Sequence, residues 1–93
     1  MVVKPYNDTS LNSDSFIRSF EETVDLSDLV WHRDHNDRII TIINGSNWEL
    51  QYDNDMPILL EIGKKYYIPK NEYHRLIRGN DNLIIQIDES VVA

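Results

Sequence analysis

Gly63-Lys64-Lys65-Tyr66-Tyr67-Ile68-Pro69-Lys70-Asn71-Glu72-Tyr73-His74 reads as turn, strand, turn and the opening of a second strand. Lys65–Ile68 is a short β-prone run, Pro69-Lys70-Asn71 interrupts it, and His74–Ile77 resumes it. Proline fixes its own φ, and asparagine tolerates the left-handed conformation, so that trio is a turn with a mechanism. The same alternation extends in both directions, through Leu29–Asp34, Arg38–Asn44, Asn47–Tyr52, Ile58–Ile62 and Leu83–Asp88. Turn clusters separate these runs, among them Asn44-Gly45-Ser46, Asp53-Asn54-Asp55 and Gly79-Asn80-Asp81-Asn82. Many short strands at this spacing indicate an all-β sandwich or barrel.

Side-chain alternation assigns faces. Trp48, Leu50 and Tyr52 share one face of their strand, with Glu49 and Gln51 on the other. Arg38, Ile40 and Ile42 oppose Ile39, Thr41 and Ile43, so this strand is apolar on both sides beyond its first residue. Burial on both sides is expected, by core on one and by a dimer or helix cover on the other. Residues 1–14 are polar and read as an irregular arm. Phe16, Ile17, Phe20 and Val24 recur at near-helical spacing, which predicts a short helix within Ser15–Val24, capped by Ser13 or Asp14. Glu21–Leu26 could equally enter the sheet. The expected division is an arm with a short helix or edge strand over 1–28 and one barrel over 29–93.

A chain of 93 residues without cysteine builds one small core and has neither disulfides nor thiolate metal sites. Its net charge of -7 argues against a nucleic-acid partner. No stretch is long or apolar enough to span a bilayer and no signal-peptide pattern appears, so a cytoplasmic protein without membrane contact is expected. The charge is uneven. Lys64, Lys65, Lys70, Arg75 and Arg78 face only Glu72 over 64–78, a solvated basic edge or a local field that attracts a small anion.

All three histidines fall in two strand-like segments, Trp31–His35 and Glu72–Arg75. His32 and Asp34 are two apart and share a strand face. With the distant His74 they supply the ligand types of a mononuclear iron facial triad. His35 points away under strict alternation, although a bulge in Asp34–Asp37 would bring it inward.

The segment Gly63–His74 resembles the second signature of the cupin family, which is glycine, five residues, proline, one residue, usually glycine, two residues and a metal-binding histidine. Asn71 replaces the second glycine. The first signature is histidine, any residue, histidine, three or four residues, glutamate, six residues and glycine. Its frame runs from His32 to Gly45, with Asp34 at the second histidine and Arg38 at the glutamate. The resemblance covers roughly 29–88. It implies a cupin-like double-stranded β-helix barrel with a metal inside its wider mouth, held by His32, Asp34 and His74, with His35 as the alternative ligand.

A guanidinium at the glutamate position cannot ligate and keeps its charge. Either Asp34 ligates a metal while Arg38 binds an anionic substrate, or Asp34 and Arg38 pair and the metal site is degraded. The resemblance also turns Tyr66 inward, and Arg38 or Arg78 would hold substrate charge. Two nitrogens and one carboxylate favour iron(II), with manganese, nickel, copper and zinc open. The first functional reading is a small metal-binding cupin, a mononuclear non-haem iron oxygenase acting on a small anionic substrate. The alternative is a non-catalytic cupin module or sensor, and a homodimer is expected in either case.

Overall fold

The computed structural model describes residues 4–89. Eight strands form in chain order: β1 (Asn7–Ser10), β2 (Ser15–Phe20), β3 (Arg38–Asn44), β4 (Glu49–Tyr52), β5 (Ile58–Leu59), β6 (Lys65–Ile68), β7 (His74–Ile77) and β8 (Leu83–Asp88). One sheet has the order β1-β2-β8-β3-β6 and the other β5-β4-β7, with every pairing antiparallel.

The β-branched content of β3 and β8 explains their central positions, since such side chains pack well on a pleated surface. Their register sets Ile40 opposite Ile87 and Ile42 opposite Ile85. These residues, with Phe20, Ile68 and Leu83, form one wall of the core, and Trp48, Leu50 and Leu60 supply the other. Trp48 is fully buried, and its indole N–H donates to the Asp81 carbonyl at 2.7 Å. That bond satisfies the one polar group such a ring brings into a core.

The N-terminal segment departs from expectation. Ser15–Phe20 is a strand, not a helix, paired along its whole length with β8. The near-helical spacing of Phe16, Ile17 and Phe20 yields to tertiary pairing, because Phe16 and Phe20 also share one strand face and reach Ile87 and Leu83. Part of the presumed irregular arm is β1, added to the edge of that sheet. In contrast, Leu29–Asp34 does not form a continuous strand. A single 3-10 turn occupies Leu26–Asp28, capped by the Asp25 carboxylate on the Ser27 amide, and only His32 then makes a bridge, to His74.

One turn ties together the segments that carry the site. Asn71 has φ 63°, the left-handed geometry anticipated where the cupin pattern has glycine. Its amide donates to the Asp34 carbonyl at 2.8 Å, tying the Pro69 turn to the Asp34 backbone. Outside the core, Ile39 and Thr41 are half-buried and Ile43 is exposed. No helix among the described residues is long and apolar enough to cross a membrane.

Candidate metal centre

The site is built by alternation across one bridge. His32 and His74 pair backbone to backbone. The buried side chains of His74 and Asp34 and the 44% exposed side chain of His32 therefore share one side, with Trp31, Arg33, Tyr73 and Arg75 on the other. On the outside, Trp31 stacks on Tyr73 with centroids 5.3 Å apart. Arg33 lies 4.7 Å from the Tyr73 centroid and Arg75 4.8 Å from that of Trp31. This stack clamps the two short segments that carry the histidines.

Each imidazole is oriented by the same local device. Nδ1 of His32 lies 2.9 Å from the Val30 carbonyl, and Nδ1 of His74 lies 2.8 Å from that of Glu72. A carbonyl only accepts, so each Nδ1 carries a hydrogen, and Nε2 is the ring atom left to donate to a carboxylate or, once free of its proton, to ligate a metal. Both Nε2 atoms face one carboxylate, at 3.5 Å from Asp34 Oδ1 for His32 and 3.3 Å from Oδ2 for His74. These three groups offer ligand atoms within 4.8 Å of one another.

Asp34 is buried, and its Oδ2 has no aligned hydrogen bond. Arg38 Nη1 approaches that oxygen at 3.3 Å as an ion-pair contact. Burial pushes the Asp34 carboxyl up, but the facing His74 ring and the Arg38 guanidinium more than offset it and hold it below the usual carboxylate range. Two imidazole nitrogens and an ionised carboxylate within ligand reach of one another form a donor set that a divalent cation satisfies. The residues therefore fit the metal that the sequence pattern implied.

Arg38 has a second partner that the sequence reading missed. Its Nε donates to Glu89 Oε2 at 2.8 Å, in a contact spanning 51 residues. No local pattern signals this pair, because it exists only through the β3–β8 register. His35 is exposed and lies outside the cluster. A cavity of about 300 Å³ adjoins the site, lined by His32, Asp34, Arg38 and His74 and by apolar residues from both sheets. Tyr66 and Arg78 do not line it. The Tyr66 hydroxyl bridges the Leu59 carbonyl and the Glu61 amide, and Arg78 Nη1 donates to the Val24 carbonyl at 2.8 Å.

No protein-family model matches this chain, and no curated protein matches it either. Solved structures do. An RmlC-like cupin with a double-stranded β-helix fold from Methanocaldococcus jannaschii aligns with a TM-score of 0.68 at 16% identity, over 94% of this chain and 81% of that one. A cupin domain from Bordetella pertussis gives 0.62 at 15% identity, over 98% and 99%. A DMSP lyase from Ruegeria pomeroyi gives 0.74 at 11% identity, over 96% of this chain. The chain spans only 49% of that lyase and 35% of the chain in a further DMSP lyase structure. The likeness establishes the architecture: this chain has the double-stranded β-helix fold of the small cupins.

Proposed function

We propose that the chain is a small metal-binding cupin in which His32, Asp34 and His74 hold one divalent metal, iron(II) by preference, beside a cavity for a small anionic substrate. The observation that carries this reading is the convergence of two carbonyl-anchored imidazoles on the buried, incompletely satisfied carboxylate of Asp34. Three protein ligands leave coordination positions open, and a bound iron(II) would supply dioxygen activation of the non-haem oxygenase type. The protein's own part is to orient the ligands, exclude water with apolar walls and supply positive charge through Arg38, which lies on the cavity. Tyr66 and Arg78, expected as further substrate contacts, lie off it. We place the activity in the cytoplasm and the chain in a homodimer that covers the outer face of β3, where Ile43 is 45% exposed.

Elemental analysis of protein purified without chelators tests the reading. Near-stoichiometric iron, lost in His32→Ala and His74→Ala and kept in His35→Ala, supports it. The 3.3 Å contact between Arg38 and Asp34 favours a second reading, a non-catalytic binding module whose carboxylate is neutralised by the arginine. Metal-free wild-type protein that stays metal-free after incubation with iron(II), manganese and zinc would establish that second reading in place of the first.

A further inference from the structure

β2 carries a charge where its neighbours are apolar. Phe16, Arg18 and Phe20 share its inward face, and the register sets Arg18 opposite Ile85. The Arg18 side chain is only 12% exposed, and it lines the same cavity as His32, Asp34 and His74. A guanidinium cannot shed its proton there, so its desolvation must be offset. Asp8 provides the offset from β1, accepting from Nε at 2.8 Å and from Nη2 at 3.0 Å. The Tyr6 ring lies 3.6 Å from the guanidinium carbon and fixes its plane.

This two-point pairing leaves Nη1 without an acceptor among the described residues. Arg38 is held differently. Its Nε is given to Glu89 and its Nη1 faces Asp34, so it acts on the metal carboxylate. The geometry points to Arg18 as the residue that binds the anionic end of the cavity's ligand, a small carboxylate with an apolar body. A planar guanidinium edge matches a carboxylate, while the walls from Phe20, Leu29, Ile40, Leu50 and Ile87 match only a hydrocarbon portion. The volume of about 300 Å³ admits a small ligand of that kind. The inference rests on reading the cavity as a small-anion site and refines it: Arg18 takes the anion, and Arg38 positions Asp34.

Isovalerate and its neutral isostere isovaleramide, titrated into the purified full chain and followed by the methyl NMR signals of Ile40, Leu50 and Ile87, test the assignment. Isovalerate shifts these signals saturably and isovaleramide does not. Arg18→Gln weakens isovalerate at least about tenfold, the size of one lost charged hydrogen-bonding contact. Arg18→Lys falls between the two, because it keeps the charge and loses the planar edge. Arg78→Gln stays within about threefold of wild type, because Arg78 lies off the cavity and donates to the Val24 carbonyl. The assignment is overturned if isovalerate gives no saturable shift, if the amide binds equally well, or if Arg38→Gln abolishes binding while Arg18→Gln does not. If Arg18→Gln alone does not fold, Asp8→Asn/Arg18→Gln removes both charges and answers the same question. Metal content of the same samples separates the two ideas. Metal-free protein that binds isovalerate through Arg18 removes the metal reading and keeps this one, and metal-loaded protein with Arg18-independent binding does the reverse.

Discussion

The backbones of His32 and His74 exchange two hydrogen bonds, of 2.9 and 3.0 Å, which sets their ring centroids 4.3 Å apart. Neither histidine lies inside a long strand, so their spacing depends on this single bridge and on what braces it. The brace is the outer stack of Trp31 and Tyr73.

Tyr73→Ala should therefore affect a site its side chain never touches. Loss of the stacked pair and its cation contacts should cost about 1–2 kcal/mol in urea unfolding. Metal affinity, read by competition with a chelator, should fall about tenfold, as it does when groups that hold the ligands in place are removed. Tyr73→Phe keeps the ring and should leave both quantities close to wild type. If Tyr73→Ala loses stability but keeps its metal affinity, the site is held by the Asn71–Asp34 bond instead.

In the metal-free protein, Asp34 should titrate below the ordinary carboxylate range, observable by carbon-detected NMR. Its ionised form is favoured on folding. That contribution to stability is present above the ordinary carboxylate pKa and is lost as pH falls through the depressed one. Arg38→Met removes one of the groups that hold it down, so the Asp34 titration should move upward. An unchanged titration would show that the 3.3 Å contact carries no energy.

A second carboxylate gives a cleaner stability test. Ser15 Oγ donates to Asp88 Oδ1 at 2.6 Å and, as the largest cause, holds the Asp88 carboxyl below its ordinary value. Ser15→Ala should cost about 1 kcal/mol near neutral pH, the net worth of such a bond. The difference from wild type should persist down to about pH 4, the ordinary carboxylate value, and disappear below it as Asp88 protonates in both proteins. Urea midpoints across that range are the measurement. A penalty that does not depend on pH would assign the loss to packing.

Two glycines should respond differently to alanine. A Cβ at Gly79 would lie 2.1 Å from the Ser46 carbonyl oxygen and 2.6 Å from the Trp48 amide, both backbone atoms that cannot swing aside. Gly79→Ala should cost about 2–3 kcal/mol in thermal or urea unfolding, as overpacking against fixed atoms does. Gly63 has φ +84° with open space around its Cβ position, so Gly63→Ala should cost only the conformational penalty of about 1 kcal/mol. Equal losses at the two positions would contradict the backbone geometry.

The barrel was legible in the sequence because its central strands state their faces locally. The alternation of Ile40 and Ile42 with Ile39 and Thr41, and the Pro69–Asn71 turn, are short-range signals. The clustering of His32, Asp34 and His74 was legible for the same reason, since His32 and Asp34 need only a period of two. β2 was misread because Arg18 occupies its inward face and Ile17 its outward one, which blurs the strand period and leaves a helix-like spacing. The contacts of Arg18 and Glu89 were hidden for a related reason. Each acquires its partner through sheet register. A clue did exist, in an arginine placed between two phenylalanines on alternate positions.

β8 lies between β2 and β3, and both pair with it rather than with each other. A chain emerging from the ribosome therefore exposes Phe16, Phe20, Ile40 and Ile42 without a neighbour until residues 83–88 are made. His32 is present long before the sheet can close, whereas His74 opens β7, the strand just before β8. Assembly of the site is thereby tied to β8, which follows every other described strand in the chain, a topology of high contact order that favours slow, all-or-none closure. Partly made chains would be the species most in need of protection from aggregation.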